Sequence, residues 1–188
     1  MSLVSNLFLL FVAASILIYY IVPRKSQWIV LLIFSYLYYI AGGPRYVVFI
    51  LFSTLVTWLM ALLIEKAEGK ENHKGARKLL ILGLILNFGM LGIVKYTNFA
   101  VENINALLHL NLRGIQLLLP LGISFYTFQS SGYLLDVYWK RCKAERHPLK
   151  YALFVSFFPQ ILQGPIGRYS RLADQLYAEH RFERSEER

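Results

Sequence analysis

The hydrophobic positions of this chain come in blocks. Leu3 to Val22, Trp28 to Ala41, Tyr46 to Ile64, Leu79 to Val94 and Pro120 to Trp139 are five apolar runs separated by short polar stretches. A helix of about 20 residues rises about 30 Å, the thickness of a bilayer's hydrocarbon core. The pattern predicts an all-α, polytopic membrane protein, one domain over 1–188, in which 3–22, 28–41, 46–64, 79–94 and 120–139 cross as helices. The second run is short, but Trp28, Phe34, Tyr36, Tyr38 and Tyr39 suit membrane interfaces. Gly42, Gly43 and Pro44 predict a tight turn after it. Glu65 to Lys78 predicts a solvated loop. Asn87, among Gly83, Gly89 and Gly92, predicts helix–helix packing inside the membrane.

Two stretches depart from this pattern. Between Thr97 and Arg113, Ala100, Ile104, Leu107 and Leu108 share one helical face, with Asn98, Glu102, Asn105 and His109 opposite. That predicts an amphipathic helix lying in the interface, stopped at Gly114. Leu149 to Gln163 is too short to cross and is broken by Pro159, so a re-entrant or in-plane segment is expected. Residues 164–188 read as a polar tail.

The fifth run carries the chemistry. Tyr126, Gln129, Tyr133, Asp136 and Lys140 recur at spacings of three or four, and Ser124, Thr127 and Ser131 form a second stripe. Polar groups at membrane depth face protein or a wet cavity. They also glue ordinary membrane helices together. Asp136 is placed to pair with Lys140 one turn on. The stripes predict packing needs that residues 1–188 leave unmet.

Charge orients the spans. The chain carries 20 Lys and Arg against 11 Asp and Glu. The basic residues gather after the first, third and fifth runs, as Arg24 and Lys25, as Lys66 to Lys78, and as Lys140 to Lys150. The positive-inside rule then puts these three loops in the cytoplasm and the N-terminus outside. Arg168 and Arg171 stay inside only if 149–163 does not cross, which is the second reason for the re-entrant reading. No basic groove interleaved with aromatic residues suggests nucleic acid. The single cysteine, Cys142, excludes an internal disulfide. No basic residue precedes the first run and no small-residue cleavage site follows it, so it reads as an uncleaved helix rather than a signal peptide.

The sequence carries no GxSxG, HExxH, GxGxxG or P-loop pattern and no metal-ligand spacing. His73, His109, His147 and His180 all lie outside the apolar runs, so none suits a buried general base.

Two consecutive stretches, LPLGISFYTFQSSGYLLDVY (119–138) and YALFVSFFPQILQGPIGRYSRLADQL (151–176), resemble the membrane-bound O-acyltransferase family. They are most similar to its bacterial alginate O-acetyltransferase and D-alanyl transfer branch. The resemblance implies transfer of an acyl group from a cytoplasmic thioester, acetyl-CoA or an acyl carrier, to hydroxyls of an exported polysaccharide in the bacterial cell membrane. It implies no bound cofactor or metal, and an acyl-carrier protein or an extracytoplasmic acetyltransferase as partner.

It also implies a histidine base and a second polar residue beyond residue 188. The chain is thus expected to be an N-terminal portion, inactive alone. The alternative is a short non-catalytic membrane protein that binds a partner or lipid. A small transporter or channel is weaker, because the paired broken helices of repeated halves are absent.

Carried over residue by residue, Phe157, Phe158, Pro159, Gln160, Gly164, Pro165, Ile166 and Arg168 form an in-plane element beside a central funnel. Gln129, Tyr133, Asp136, Gln160 and Arg168 are the candidate funnel or substrate-lining residues, and no catalytic residue is expected in this chain. Pro120, Gly122, Pro159, Gly164 and Pro165 are the candidate shaping residues. For Arg168 the alternative is snorkelling to a lipid phosphate.

Overall fold

A computed structural model describes residues 6–108, 122–163 and 167–178. Among them the chain is entirely helical: α1 (Asn6–Ile21), α2 (Gln27–Gly42), α3 (Val47–Glu68), α4 (His73–Leu108), α5 (Ile123–Tyr138), α6 (Pro148–Ser156), α7 (Phe158–Gln163) and α8 (Tyr169–Tyr177). Two stretches, Pro44–Glu68 and His73–Thr97, are long and apolar enough to cross a membrane, with only 33% of each most apolar stretch buried in the protein. Their remaining apolar surface, Leu51, Leu55, Ile85 and Ile93 among it, faces outward, as lipid contact requires. This is a helical membrane protein.

The mixed-charge stretch 65–78 is not a loop. α3 runs on to Glu68 and α4 starts at His73, leaving only 69–72 as the connection. Lys, Glu and Ala are good helix formers, so α3 continues past the end of its apolar run to Glu68. Asn72 caps α4, its Oδ1 accepting the Gly75 N–H at 2.9 Å.

The fourth span and the interfacial helix are likewise one element. α4 continues for 36 residues, about 54 Å, to Leu108. No Gly or Pro interrupts Lys95 to Leu108, so nothing forces the helix to break where its polarity changes. Residues 109–113 of the expected interfacial helix lie outside the described residues, as does Pro120.

α5 sits at the centre, against α3, α4 and α6. α2 packs on α6, and α1 covers α2. The polar stripes of α5 are not left exposed: Tyr126, Thr127, Gln129, Ser130, Ser131 and Tyr133 are all buried. The expectation of unmet packing on this helix is corrected, because α3, α4 and α6 within the same chain already cover it. Between α3 and α4, Ser53 Oγ donates to Asn87 Oδ1 at 2.6 Å, and Asn87 Nδ2 donates to Thr57 Oγ1 and the Gly83 carbonyl, both at 3.0 Å. A Cβ on Gly83 would stand 2.9 Å from Leu134 Cδ1, so this glycine is a contact point, whereas Gly89 and Gly92 meet nothing.

The last apolar block is two short helices. The break falls at Phe157 (ψ 105°), and Pro159 lies in the first turn of α7. A proline ring clashes with the carbonyl four residues back, so the helix must break before it. The freed backbone groups find partners: the Phe158 N–H donates to Ser35 Oγ at 3.3 Å, and the Phe154 carbonyl accepts from Gln129 Nε2 at 3.2 Å.

The chain then returns to the end it left. Tyr169 Oη donates to Glu145 Oε2 at 2.6 Å, and Tyr177 Oη to the Lys150 carbonyl at 2.6 Å. What reads as a polar tail is, over 169–177, a packed helix with Tyr169, Ala173 and Leu176 buried.

One end of the bundle gathers the basic loops. Glu65 accepts from the Ala144 N–H at 3.1 Å and pairs with Arg146. The Trp28 ring lies 6.4 Å from that of His147, centroid to centroid, which brings the α1–α2 turn to the same end. Asp136 does not pair with Lys140. Lys140 reaches Glu68 at 3.1 Å, while Arg141 stands 3.6 Å from Asp136. α5 ends at Tyr138, and Lys140 takes a left-handed φ of 59°, which turns its side chain away from its own helix.

Candidate functional site

A cavity of about 170 Å³ opens between the C-terminal half of α5 and the start of α8. Gln129, Tyr133, Asp136 and Arg168 line it, so four of the five candidate residues meet there. The fifth, Gln160, lies directly behind: its Oε1 is 3.4 Å from Gln129 Nε2. Gly167 packs against it, since a Cβ there would sit 2.7 Å from Gln160 Nε2.

Local geometry explains why these residues converge. Gln129, Gly132, Tyr133 and Asp136 repeat at three and four along α5 and therefore share a face. Gly132 opens the slot, because nothing lies within 4 Å of where its Cβ would be. Arg168 is the residue just before α8, in extended backbone, and it is exposed at the mouth.

The slot is chemically graded. At its inner end Gln129 is 2% exposed, and its Oε1 has no hydrogen-bond partner among the described residues. A buried carbonyl oxygen without a donor is costly, so this atom is a ready acceptor for an incoming N–H or O–H. At the mouth are Asp136 and Arg168, one charge of each sign. Aromatic side chains form the walls, with the Tyr133 and Tyr169 rings 4.7 Å apart and Phe154 packed edge-on against Tyr169 at 4.9 Å.

Glu145 holds these walls in place from the loop between α5 and α6. Its N–H donates to Tyr133 Oη at 2.8 Å, its carbonyl accepts from Trp58 Nε1 at 2.9 Å, and its carboxylate takes the Tyr169 hydroxyl. Burial pushes the Tyr169 hydroxyl above the usual tyrosine range, so it stays a proton donor to Glu145 at all ordinary pH values.

Of the shaping residues, Gly122 is described at φ 69°, where a Cβ would strike Ile161, so it permits the close approach of α7 to the start of α5. Pro159 is exposed and lines no part of the slot. Pro120, Gly164 and Pro165 lie outside the described residues. Sequence reasoning missed Gly132, Leu135, Trp139, Gly167 and Tyr169, which complete the lining, and Glu145, which supports it. Gly132 had a usable signal, as a glycine inside a polar helical stripe. Glu145 had none, since its partners come from three separate helices.

Among the described residues no group of His, Cys, Asp and Glu could hold a metal ion. Both described histidines lie away from the slot, His73 on Glu68 and His147 against Trp28.

The architecture so far defines a helical membrane protein with a small, polar-ended slot at its basic end. Curated relatives narrow that class. A protein of Pseudomonas syringae pv. tomato named probable alginate O-acetylase AlgI is 36% identical over 179 residues, covering 92% of this chain and 34% of its own length. Its namesake in Pseudomonas aeruginosa is 34% identical over 92% of this chain and 34% of its own. A Helicobacter pylori protein named peptidoglycan O-acetyltransferase is 33% identical over 79% of this chain and 32% of its own.

The chain is similar to the alginate O-acetylase branch of the membrane-bound O-acyltransferase family, of which it matches an N-terminal portion. It spans about a third of the length of these relatives. No family model matches the chain, and no solved structure matches it.

Proposed function

We propose that this chain supplies the donor-side part of an O-acetyltransferase that modifies hydroxyls of a cell-envelope polysaccharide. The observation that carries this reading is the slot, which brings Gln129, Tyr133, Asp136, Gln160 and Arg168 together at the basic end. The relatives' names, alginate O-acetylase and peptidoglycan O-acetyltransferase, point to the same reaction class.

In this reading α1 to α5 are five spans, the N-terminus lies outside a bacterial cell membrane, and the basic end faces the cytoplasm. The gathering of Arg146, Lys140 and His147 with the α1–α2 turn at one end supports that orientation. α6 and α7 form a re-entrant hairpin, supported by the return of Tyr169 to Glu145.

The slot takes the thin thioester arm of acetyl-CoA or of an acyl carrier protein. Gln129 Oε1 accepts from an amide of that arm, and Arg168 faces its phosphate at the mouth. In the transfer, the acceptor hydroxyl oxygen bonds to the thioester carbonyl carbon, the carbon–sulfur bond breaks, and the hydroxyl proton leaves with the thiol. A hydroxyl needs a base for this step. The described slot has only the Asp136 carboxylate, so the base is assigned to another part of the full-length enzyme.

The test is acetyl transfer from radiolabelled acetyl-CoA by the full-length protein in vesicles, with alginate or peptidoglycan fragments as acceptor. Gln129→Leu and Arg168→Ala should each lower transfer at least tenfold with the protein still inserted. Wild-type rates in both variants would remove the slot from the reaction.

A further inference from the structure

A second, larger cavity lies on the other side of the last turn of α5, bounded by the end of α3 and the residues that follow α5. Its volume is about 520 Å³, and Lys140, Arg141 and Lys143 line it together with Glu65 and Glu68. We infer that it is a binding site for the phosphate end of a larger molecule, held by these three cations.

The two carboxylates do not oppose such a ligand, because both are already engaged. Glu65 is taken by the Ala144 N–H and Arg146, and Glu68 by His73 at 2.9 Å and Lys140 at 3.1 Å. The cations keep donors to spare. Lys143 has no acidic partner among the described residues, and its ammonium offers three donors. Arg141 is only loosely tied, 3.6 Å from Asp136 and stacked 4.7 Å over the Trp139 ring, so most of its planar fork is free for a phosphate.

The backbone makes the same point. α5 closes with the Arg141 N–H on the Asp136 carbonyl at 2.8 Å and the Lys140 N–H on the Val137 carbonyl at 3.0 Å. This is the helix-ending motif whose left-handed position is normally glycine. Lysine stands there instead, at φ 59°, a conformation that disfavours any side chain. Its ammonium is thereby delivered to the cavity rim.

Volume sets the size of the ligand. A bare phosphate fills only a small part of 520 Å³, at about 30 Å³ per water-sized group. Two sources share the required chemistry: the nucleotide end of a CoA thioester and the head group of an anionic phospholipid. The first rests on the proposed donor slot. Arg141 touches Asp136 and Trp139, which line that slot, so it stands between the two cavities.

The experiment uses the full-length protein in nanodiscs, with CoA as one probe and retained phosphatidylglycerol, counted by mass spectrometry, as the other. Lys143→Ala removes an exposed side chain without an ion-pair partner among the described residues, and Lys140→Gly installs the residue the backbone prefers, so the double variant should fold. A CoA Kd at least tenfold weaker in the double variant, with recovery in Lys143→Arg, establishes the nucleotide as ligand. A CoA response absent throughout, with phosphatidylglycerol retention halved in the double variant, establishes the lipid.

If neither quantity moves by more than twofold, the site does not exist. Pantetheine, which lacks the nucleotide, separates this outcome from the donor reading. Its binding should ignore both lysine variants and depend on Gln129. Loss of that dependence would sink the donor slot while leaving the phosphate site standing.

Discussion

Gly132 offers the sharpest test of the slot. It faces the cavity from the middle of α5, and nothing lies within 4 Å of a Cβ built on it. Alanine there should therefore meet no clash, and it should stabilise the helix by about 1 kcal/mol through propensity alone. Leucine keeps that gain but sends four carbons into the slot. At about 30 Å³ each they take roughly 120 Å³, most of the 170 Å³ available. The remainder is too small for a thioester arm.

The two variants should part company. Gly132→Ala should keep acetyl transfer within about threefold and raise thermal stability slightly. Gly132→Leu should stay folded yet lose about 100-fold or more in transfer, the scale at which misplaced reactants fail. The assay is acetyl transfer by the full-length protein in vesicles, run beside thermal unfolding in the same lipid. A leucine variant that transfers at the wild-type rate would show that the slot is not on the reaction path. A leucine variant that unfolds would refute the claim that the face is open.

Other expectations follow from single contacts. Asn87→Ala strips partners from Ser53 and Thr57 inside the bundle. At about 0.6 kcal/mol per intramembrane hydrogen bond it should destabilise by about 1–2 kcal/mol, read as earlier unfolding in a detergent titration. Glu71 holds φ 57° in the α3–α4 turn, so Glu71→Gly should stabilise by about 1 kcal/mol in the same titration.

Burial pushes the Cys142 thiol up to about 11, with Asp136 and Glu65 adding to the shift. The thiol is neutral below that value, so its alkylation by iodoacetamide should climb about tenfold per pH unit from 7 to 10. A plateau near pH 8.5 would contradict the environment described. Glu145→Gln keeps the shape of the side chain but weakens its hold on the Tyr169 hydroxyl. Transfer should fall severalfold through KM, with little change in thermal stability, if Glu145 positions the slot wall.

How far the sequence could be read depends on the range of each interaction. The apolar blocks, the turn at Gly43 and the central place of the helix over 123–138 follow from local hydropathy and helical period. Gln129, Tyr133 and Asp136 could be nominated together because they share one face of one helix. Gln160 and Arg168 joined them through family resemblance; Arg168 stands at the mouth of the cavity and Gln160 behind it, against Gln129. The helical continuity from His73 to Leu108 escaped a reading that took a change of polarity for a break.

The sequence by itself thus determined an all-helical membrane chain, the clustering of its basic residues between apolar runs, and the stripe on α5. Each is written in neighbours within a turn or two. Tertiary structure alone decided that Lys140 reaches Glu68 and not Asp136, that Glu145 ties Trp58, Tyr133 and Tyr169 together, and that two cavities flank the last turn of α5. Those outcomes depend on distances between residues 12 to 87 positions apart. Periodicity along one helix carries no information about such distances; only the packing of one helix against another sets them.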